Sequence, residues 1–181
     1  MNKLALVLAS SALALCVPLT PAFATSETHE AKTAALEAAD QARLDMVEVF
    51  GDKQLKPGQY LWRKGVSEGV PRVIISLSDQ MAYLYRGEQL VAVATISSGT
   101  DDRPTPTGIF PILVKKTMHY SKKYDNAPMP HMQMLDSYGI AMHAGYNPGH
   151  PASHGCIRLP AKFAARLYGV TRLGSTVYIG G

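Results

Sequence analysis

From Arg72 onward the chain is written as short β-branched and aromatic runs cut by turn residues, and this restricts it to a mostly-β fold. Val73, Ile75 and Leu77 alternate with Ile74, Ser76 and Ser78, and Ala82, Leu84 and Arg86 alternate with Tyr83 and Tyr85. A period of two sends successive side chains to opposite faces of a strand. Asp79-Gln80 separates these runs, and Gly87-Glu88 marks the turn after the second. Further strands are expected at residues 90–97, 108–114, 138–142 and 176–179. Pro160 suits the first turn of one short helix over about 160–168, with Phe163, Ala164 and Leu167 inward and Gly169 as its stop. Several short strands with one helix predict a sandwich- or barrel-like domain, mainly β. No internal repeat and no sizeable second domain is present in the sequence.

The part before the strands has a different composition. Residues 26–50 contain no Gly or Pro and are rich in Ala, Glu and Leu, which predicts a helix. Gly51-Asp52 and then Pro57-Gly58 end it. Its apolar stripe of Leu36, Ala39, Val47 and Phe50 is weak, and it suits a packing arm, a linker or a loosely held leader. At the N-terminus Lys3 precedes an apolar run at residues 4–17, broken only by Ser10 and Ser11. Pro18, Pro21 and then Ala22-Phe23-Ala24 give the cleavage pattern of a secretory signal peptide. The run is shorter than the roughly 20 apolar residues that span a bilayer. Cys16 follows Leu15, where lipoprotein processing wants a small residue, so cleavage after Ala24 is the favoured reading. The expected organisation is a signal peptide at 1–24, a helical segment and linker at 25–60, and the functional domain at 61–181.

Export to the periplasm or cell wall leaves 157 residues, enough for one domain with a real core. The formal charge falls from +4 to +3. That mild excess, without a basic run or interleaved aromatics, gives no ground for a nucleic-acid partner. Of two cysteines, Cys16 would leave with the signal, so Cys156 would remain alone. Extracytoplasmic proteins usually pair their cysteines, so a lone thiol there is either a buried apolar residue or a reactive one.

Its surroundings favour reactivity. Residues 143–159 read His-Ala-Gly-Tyr-Asn-Pro-Gly-His-Pro-Ala-Ser-His-Gly-Cys-Ile-Arg-Leu, placing His143, His150 and His154 within 13 residues of Cys156. A thiol attacks as thiolate, and a neighbouring imidazole can take its proton. His154 lies two residues before Cys156, so in an extended segment both would face one side. His143 ends the fifth expected strand, from which a returning loop would bring its ring to the sulfur. Gly155 permits a sharp backbone turn and close approach of substrate, which makes N–H groups available to an oxyanion.

The string Ser153-His154-Gly155-Cys156-Ile157-Arg158-Leu159, with His143 upstream, resembles the signature of the YkuD-type L,D-transpeptidase domain. Pro104-Thr105-Pro106-Thr107-Gly108-Ile109-Phe110 resembles the Thr-Pro-x-Gly segment before one of its core strands, and residues 73–80 resemble its first hairpin. The likeness covers about residues 72–180. It implies a sandwich-like YkuD-type catalytic domain and a cysteine acyl transferase of peptidoglycan that needs no cofactor or metal. The substrate would be a tetrapeptide stem, cleaved between diaminopimelate and the terminal D-Ala through a thioester. The acyl acceptor would be an amine on another stem, on a free D-amino acid or on a wall-linked protein. Cys156 would be the nucleophile and His143 the base, with Gly155, His154 and Ser153 shaping the oxyanion loop. Arg158 and Tyr138 would bind substrate, Arg158 by pairing with a carboxylate. Some relatives carry Asn where this chain has Arg158. Such an enzyme would also be acylated by carbapenems.

Three other readings compete. His143, His150, His154 and Cys156 are potential zinc ligands, but the chain has no His-Glu-x-x-His string. Water as acceptor would make the protein a wall hydrolase or carboxypeptidase, and the residues do not separate that from transfer, since both use one acyl-enzyme. A non-catalytic wall-binding module would not need the His/Cys set. The acceptor and the oligomeric state are left open by the sequence.

Overall fold

A computed structural model describes residues 27–181. The expected signal peptide and Cys16 lie outside the described residues. Helix α1, His29–Phe50, opens on Thr28, whose Oγ1 accepts from Ala31 N at 3.2 Å, the usual N-cap bond. Ten strands follow: β1 Tyr60–Trp62, β2 Pro71–Ser76, β3 Met81–Arg86, β4 Gln89–Thr95, β5 Gly108–Pro111, β6 Val114–Lys116, β7 Met132–Met134, β8 Ala141–Ala144, β9 Ile157–Leu159 and β10 Thr176–Gly180. Helix α2, Ala161–Val170, stands between the last two. The mainly-β architecture is the one expected from the sequence.

Six strands form one sheet in the order β1-β4-β3-β2-β10-β5, and four form a second in the order β6-β7-β8-β9. The two-residue alternation sorts the large sheet's side chains between two cores. Val73, Ile75, Ala82, Leu84, Val177 and Ile179 face the second sheet and α2, where Met142, Ile157, Phe163 and Leu167 meet them. Ile74, Tyr83, Tyr85 and Val93 face α1. The sheet is therefore buried on both sides, which explains the unbroken apolar character of β3 and β4.

Helix α1 is a packing arm. Its buried row is Ala31, Ala35, Ala39, Ala42 and Met46, at i, i+4 and i+3 spacing on one face. Small side chains let the helix lie almost on the backbone of β10: a Cβ at Gly180 would sit 2.6 Å from Ala35 O. The stripe read from the sequence is corrected here. Ala39 is buried and Phe50 packs against the same core, but Leu36 and Val47 are 42% and 49% exposed and lie off the buried row. One polar bond crosses this layer, from the buried Tyr85 hydroxyl to Asp45 Oδ2 at 2.7 Å.

Three other expectations are revised. The fourth expected strand is two strands, β5 and β6. The fifth begins at Ala141, and Tyr138 lies in the turn before it. Helix α2 runs through Gly169 to Val170 with Thr171 as C-cap, so Gly169 is not its stop. Lys115 Nζ donates to Tyr168 O at 2.6 Å and to Thr171 O. A cation thus occupies the negative end of the helix dipole, where the helix runs two residues past the expected end.

Candidate active site

Strands β8 and β9 run parallel, with Met142, His143 and Ala144 opposite Ile157, Arg158 and Leu159. A parallel pair needs a connection of a dozen or so residues, and residues 145–156 supply it. Met142, Ala144, Ile157 and Leu159 enter the main core, so alternation turns His143 and Arg158 to the opposite face. Cys156, two residues before Arg158, emerges on that same face and packs with Met129, Met132 and Ala141. His143 and Cys156 are thus set diagonally on one face of the parallel pair, Cys156 immediately preceding β9. The sequence reading had His143 reach the sulfur through a returning loop. In the structure His143 is inside β8, and the β8–β9 register sets it diagonal to Cys156.

The tautomer of His143 follows from its partner. The side chain is 8% exposed, and Nδ1 lies 2.9 Å from the carbonyl oxygen of Ala144. A carbonyl only accepts, so Nδ1 carries the proton and Nε2 keeps its lone pair. Burial lowers the pKa of His143 below 6.5; the Ala144 bond opposes this, and the Arg158 charge adds to it. The ring is neutral and ready to receive a proton. Burial pushes the Cys156 thiol above 9.0, with a backbone hydrogen bond from Ala141 opposing, Asp136 reinforcing and Arg158 opposing. The thiol donates to Gly139 O at 3.6 Å. Burial thus disfavours the charged form of both groups, imidazolium and thiolate alike.

The loop before Cys156 is braced by its own side chains. Gly155 has φ +109, a conformation that side-chain-bearing residues rarely adopt, and a Cβ there would also press on Ile140 Cδ1 at 2.7 Å. Its amide donates to Ser153 Oγ at 3.1 Å, and that hydroxyl donates to Cys156 O. Gly155 therefore supplies the turn, while the Cys156 amide, like that of His154, has no acceptor among the described residues. The turn at Gly155 also breaks the extended geometry that would have put His154 beside Cys156. His154 is exposed, and its ring stacks on Tyr124 with centroids 4.3 Å apart.

Arg158 is held at its backbone by two bonds to Ser97, at 2.9 and 3.1 Å. Its stem crosses Gly145, where a Cβ would lie 3.0 Å from Arg158 Cγ. The ion pairs among the described residues are Arg72–Glu88 and Arg103–Asp102, so the Arg158 guanidinium has no carboxylate there. Tyr138 is 88% exposed at the tip of the turn that carries Gly139. Among the described residues no three His, Cys, Asp or Glu side chains gather as a metal ion would require. His150 is exposed, with Nδ1 3.0 Å from the carbonyl of Pro151.

Sequence reasoning passed over Asp136 and Tyr124. Asp136 is buried, and its Oδ1 accepts from the amides of Tyr138 and Ile140, both at 2.9 Å. This forms the Asx turn that sets Gly139 O against the sulfur. Asp-Ser-Tyr-Gly was a readable turn signal; nothing local marked Tyr124 as a partner for His154. Met129 and Met132 wall the thiol, while His131 between them turns away to Tyr168.

Among curated proteins, none matches this chain. Solved structures do. L,D-transpeptidase 1 of Mycobacterium tuberculosis is 20% identical, with 62% of each chain covered and a TM-score of 0.55. An L,D-transpeptidase of Stackebrandtia nassauensis is 22% identical over 83% of this chain and 78% of its own, with a TM-score of 0.58. L,D-transpeptidase 3 of M. tuberculosis, solved with a faropenem-derived adduct, is 19% identical over 62% and 60%, with a TM-score of 0.57. The chain spans about three fifths of the length of the two mycobacterial enzymes. At these identities the likeness carries the fold. The catalytic domain family of the L,D-transpeptidases, YkuD, matches residues 71–179, and the chain belongs to that family.

Proposed function

We propose that this protein is an exported L,D-transpeptidase that acts on peptidoglycan stem peptides through a thioester on Cys156. The observation that carries the reading is the pairing of β8 with β9, which sets His143, with Nδ1 on the Ala144 carbonyl, diagonal to the thiol on one face of the sheet. In the proposed first step, the Cys156 proton passes to His143 Nε2 as Sγ adds to the carbonyl of the diaminopimelate–D-Ala bond. The oxyanion is received by the Cys156 N–H. Collapse breaks the C–N bond, His143 protonates the departing amine of D-Ala, and a thioester is left. An acceptor amine then adds to the thioester, its proton goes to His143, and the thiol is regained as the C–S bond breaks.

The unpaired Arg158 suits a carboxylate of the stem, and the exposed Tyr138 provides a surface for its peptide or sugar. An acceptor amine from a second stem gives a cross-link, and one from a wall-linked protein gives attachment. The signal-like N-terminus supports a periplasmic or wall location, where the lone thiol Cys156 meets this substrate. The faropenem-derived adduct of the M. tuberculosis relative supports acylation of this chain by penem-type β-lactams.

Incubating the mature protein with isolated tetrapeptide muropeptides tests the reading. Mass spectrometry should find free D-Ala together with cross-linked or amine-exchanged products, and neither with Cys156→Ala. Tripeptide alone would make water the acceptor. D-Ala release by Cys156→Ala would reject the mechanism.

A further inference from the structure

The nucleophile loop is sewn to the segment that follows β4. The amides of Ala152 and Ser153 both donate to Ser98 O at 3.0 Å, and the amide of Thr100 donates to Ser153 O at 3.1 Å. Gly99 permits this approach, since a Cβ there would lie 2.8 Å from both Gly155 Cα and Thr105 N. Into the seam is set the buried hydroxyl of Thr105. It accepts the Gly99 N–H at 2.9 Å and donates its single proton to Gly155 O at 2.8 Å. Thr105 is therefore bonded to the peptide whose nitrogen belongs to Cys156.

A trans peptide is planar, with its N–H antiparallel to its C=O. Anchoring Gly155 O on Thr105 aims the Cys156 N–H away from the buried seam. The neighbouring groups have fixed partners: Gly155 N and Cys156 O on Ser153 Oγ, and Arg158 N and O on Ser97. Gly155 is also the residue with the fewest steric bars to rotation. Without an anchor the Gly155–Cys156 peptide can turn over, which exchanges a donor for an acceptor at the reacting carbonyl. We propose that Thr105 is a positioning residue, whose hydroxyl locks this peptide so that the Cys156 N–H stays directed at the oxyanion of acylation. The inference rests on Cys156 being the acylating nucleophile.

Two reactions of the same thiol separate positioning from structural support. Acylation by imipenem passes through an oxyanion; alkylation by iodoacetamide displaces iodide at a saturated carbon and does not. Thr105→Val should slow acylation roughly 10- to 1,000-fold, the upper figure being the loss of one oxyanion donor. The alkylation rate and its pH midpoint should stay at wild-type values, and Thr105→Ser should restore acylation. Thr105→Ala adds no bulk, carries the same expectation, and stands in if valine disturbs folding. Acylation of Thr105→Val at the wild-type rate overturns the inference. So does a parallel fall of both reactions, or loss of folding in both variants, since either assigns Thr105 to stability alone. An absence of imipenem adduct on the wild type would instead reject Cys156 as the acylating group, and the inference with it.

Discussion

The face of the large sheet that carries α1 and the loop that carries Cys156 solve opposite problems. Beneath α1 the contacts are alanines, a methionine and strand apolar residues, with Tyr85–Asp45 as the polar bond between helix and sheet. Around the nucleophile, beside Met129, Met132 and Ala141, a set of polar groups is buried: Ser97, Ser98, Thr105, Asp136, His143, Asn147 and Ser153. Apolar contacts are non-directional and stabilise by the area they remove from water. Hydrogen bonds fix direction, which a site needs when atoms must be held to fractions of an ångström. Changes under α1 should therefore alter stability without altering the chemistry, and changes in the loop should alter the chemistry out of proportion to stability.

The largest expected effect is on the base. His143→Ala should slow acylation by about 10²–10⁴, the usual contribution of a positioned base. Burial raises the thiol above 9.0, so rescue by hydroxide should appear only beyond that pH. His154→Ala should lose activity without such rescue, because a missing loop constraint is not repaired by hydroxide. In the wild type, burial holds His143 below 6.5, so the acid limb of kcat/KM should fall below pH 6.5. Stability follows the same sign: a histidine kept neutral by the fold contributes fully above 6.5, and that contribution is lost as pH drops through its folded value. A limb at or above 6.5 would contradict the buried, neutral ring.

Gly155→Ala comes next. The Cβ would be forced against Ile140 Cδ1 at a positive φ, a strain of about 1–3 kcal/mol. Acylation should fall by about 10²–10³, as for a displaced oxyanion donor. Equal losses of rate and folded fraction would break the contrast between the two regions.

The smallest effect lies under α1. Asp45→Ala leaves the buried Tyr85 hydroxyl without its acceptor, at a cost of about 1–3 kcal/mol, and acylation should be unchanged. Burial raises the pKa of Tyr85, Asp45 raises it further, and burial also raises Tyr83. Both phenols hold their protons more tightly folded than unfolded. Their contribution is whole below pH 10 and is lost as pH rises above it. Urea unfolding of wild type and Asp45→Ala at neutral and alkaline pH measures both effects.

What could be read from the sequence divides along the same line. Alternation in β2 and β3 and the apolar run of β4 were legible because each strand is long enough to show its pattern. The three-residue strands β1, β6, β7 and β9 are not. The buried row of α1 was hidden because alanine adds little to an apolar stripe, and its value here lies in the close approach to Gly180. The string around Cys156 was legible because its chemistry is local. The bond from Thr105 to Gly155 spans 50 residues, and the Asp136 turn reaches the sulfur only through a carbonyl. Neither leaves a mark in residue spacing.

The central claim, that Cys156 is the acylating thiol, is tested most directly by intact-protein mass spectrometry after exposure to a carbapenem, followed by peptide mapping. The account predicts one adduct per chain on the peptide containing Cys156, and none with Cys156→Ala. An adduct that persists in Cys156→Ala, or a wild-type chain that forms none, would contradict it.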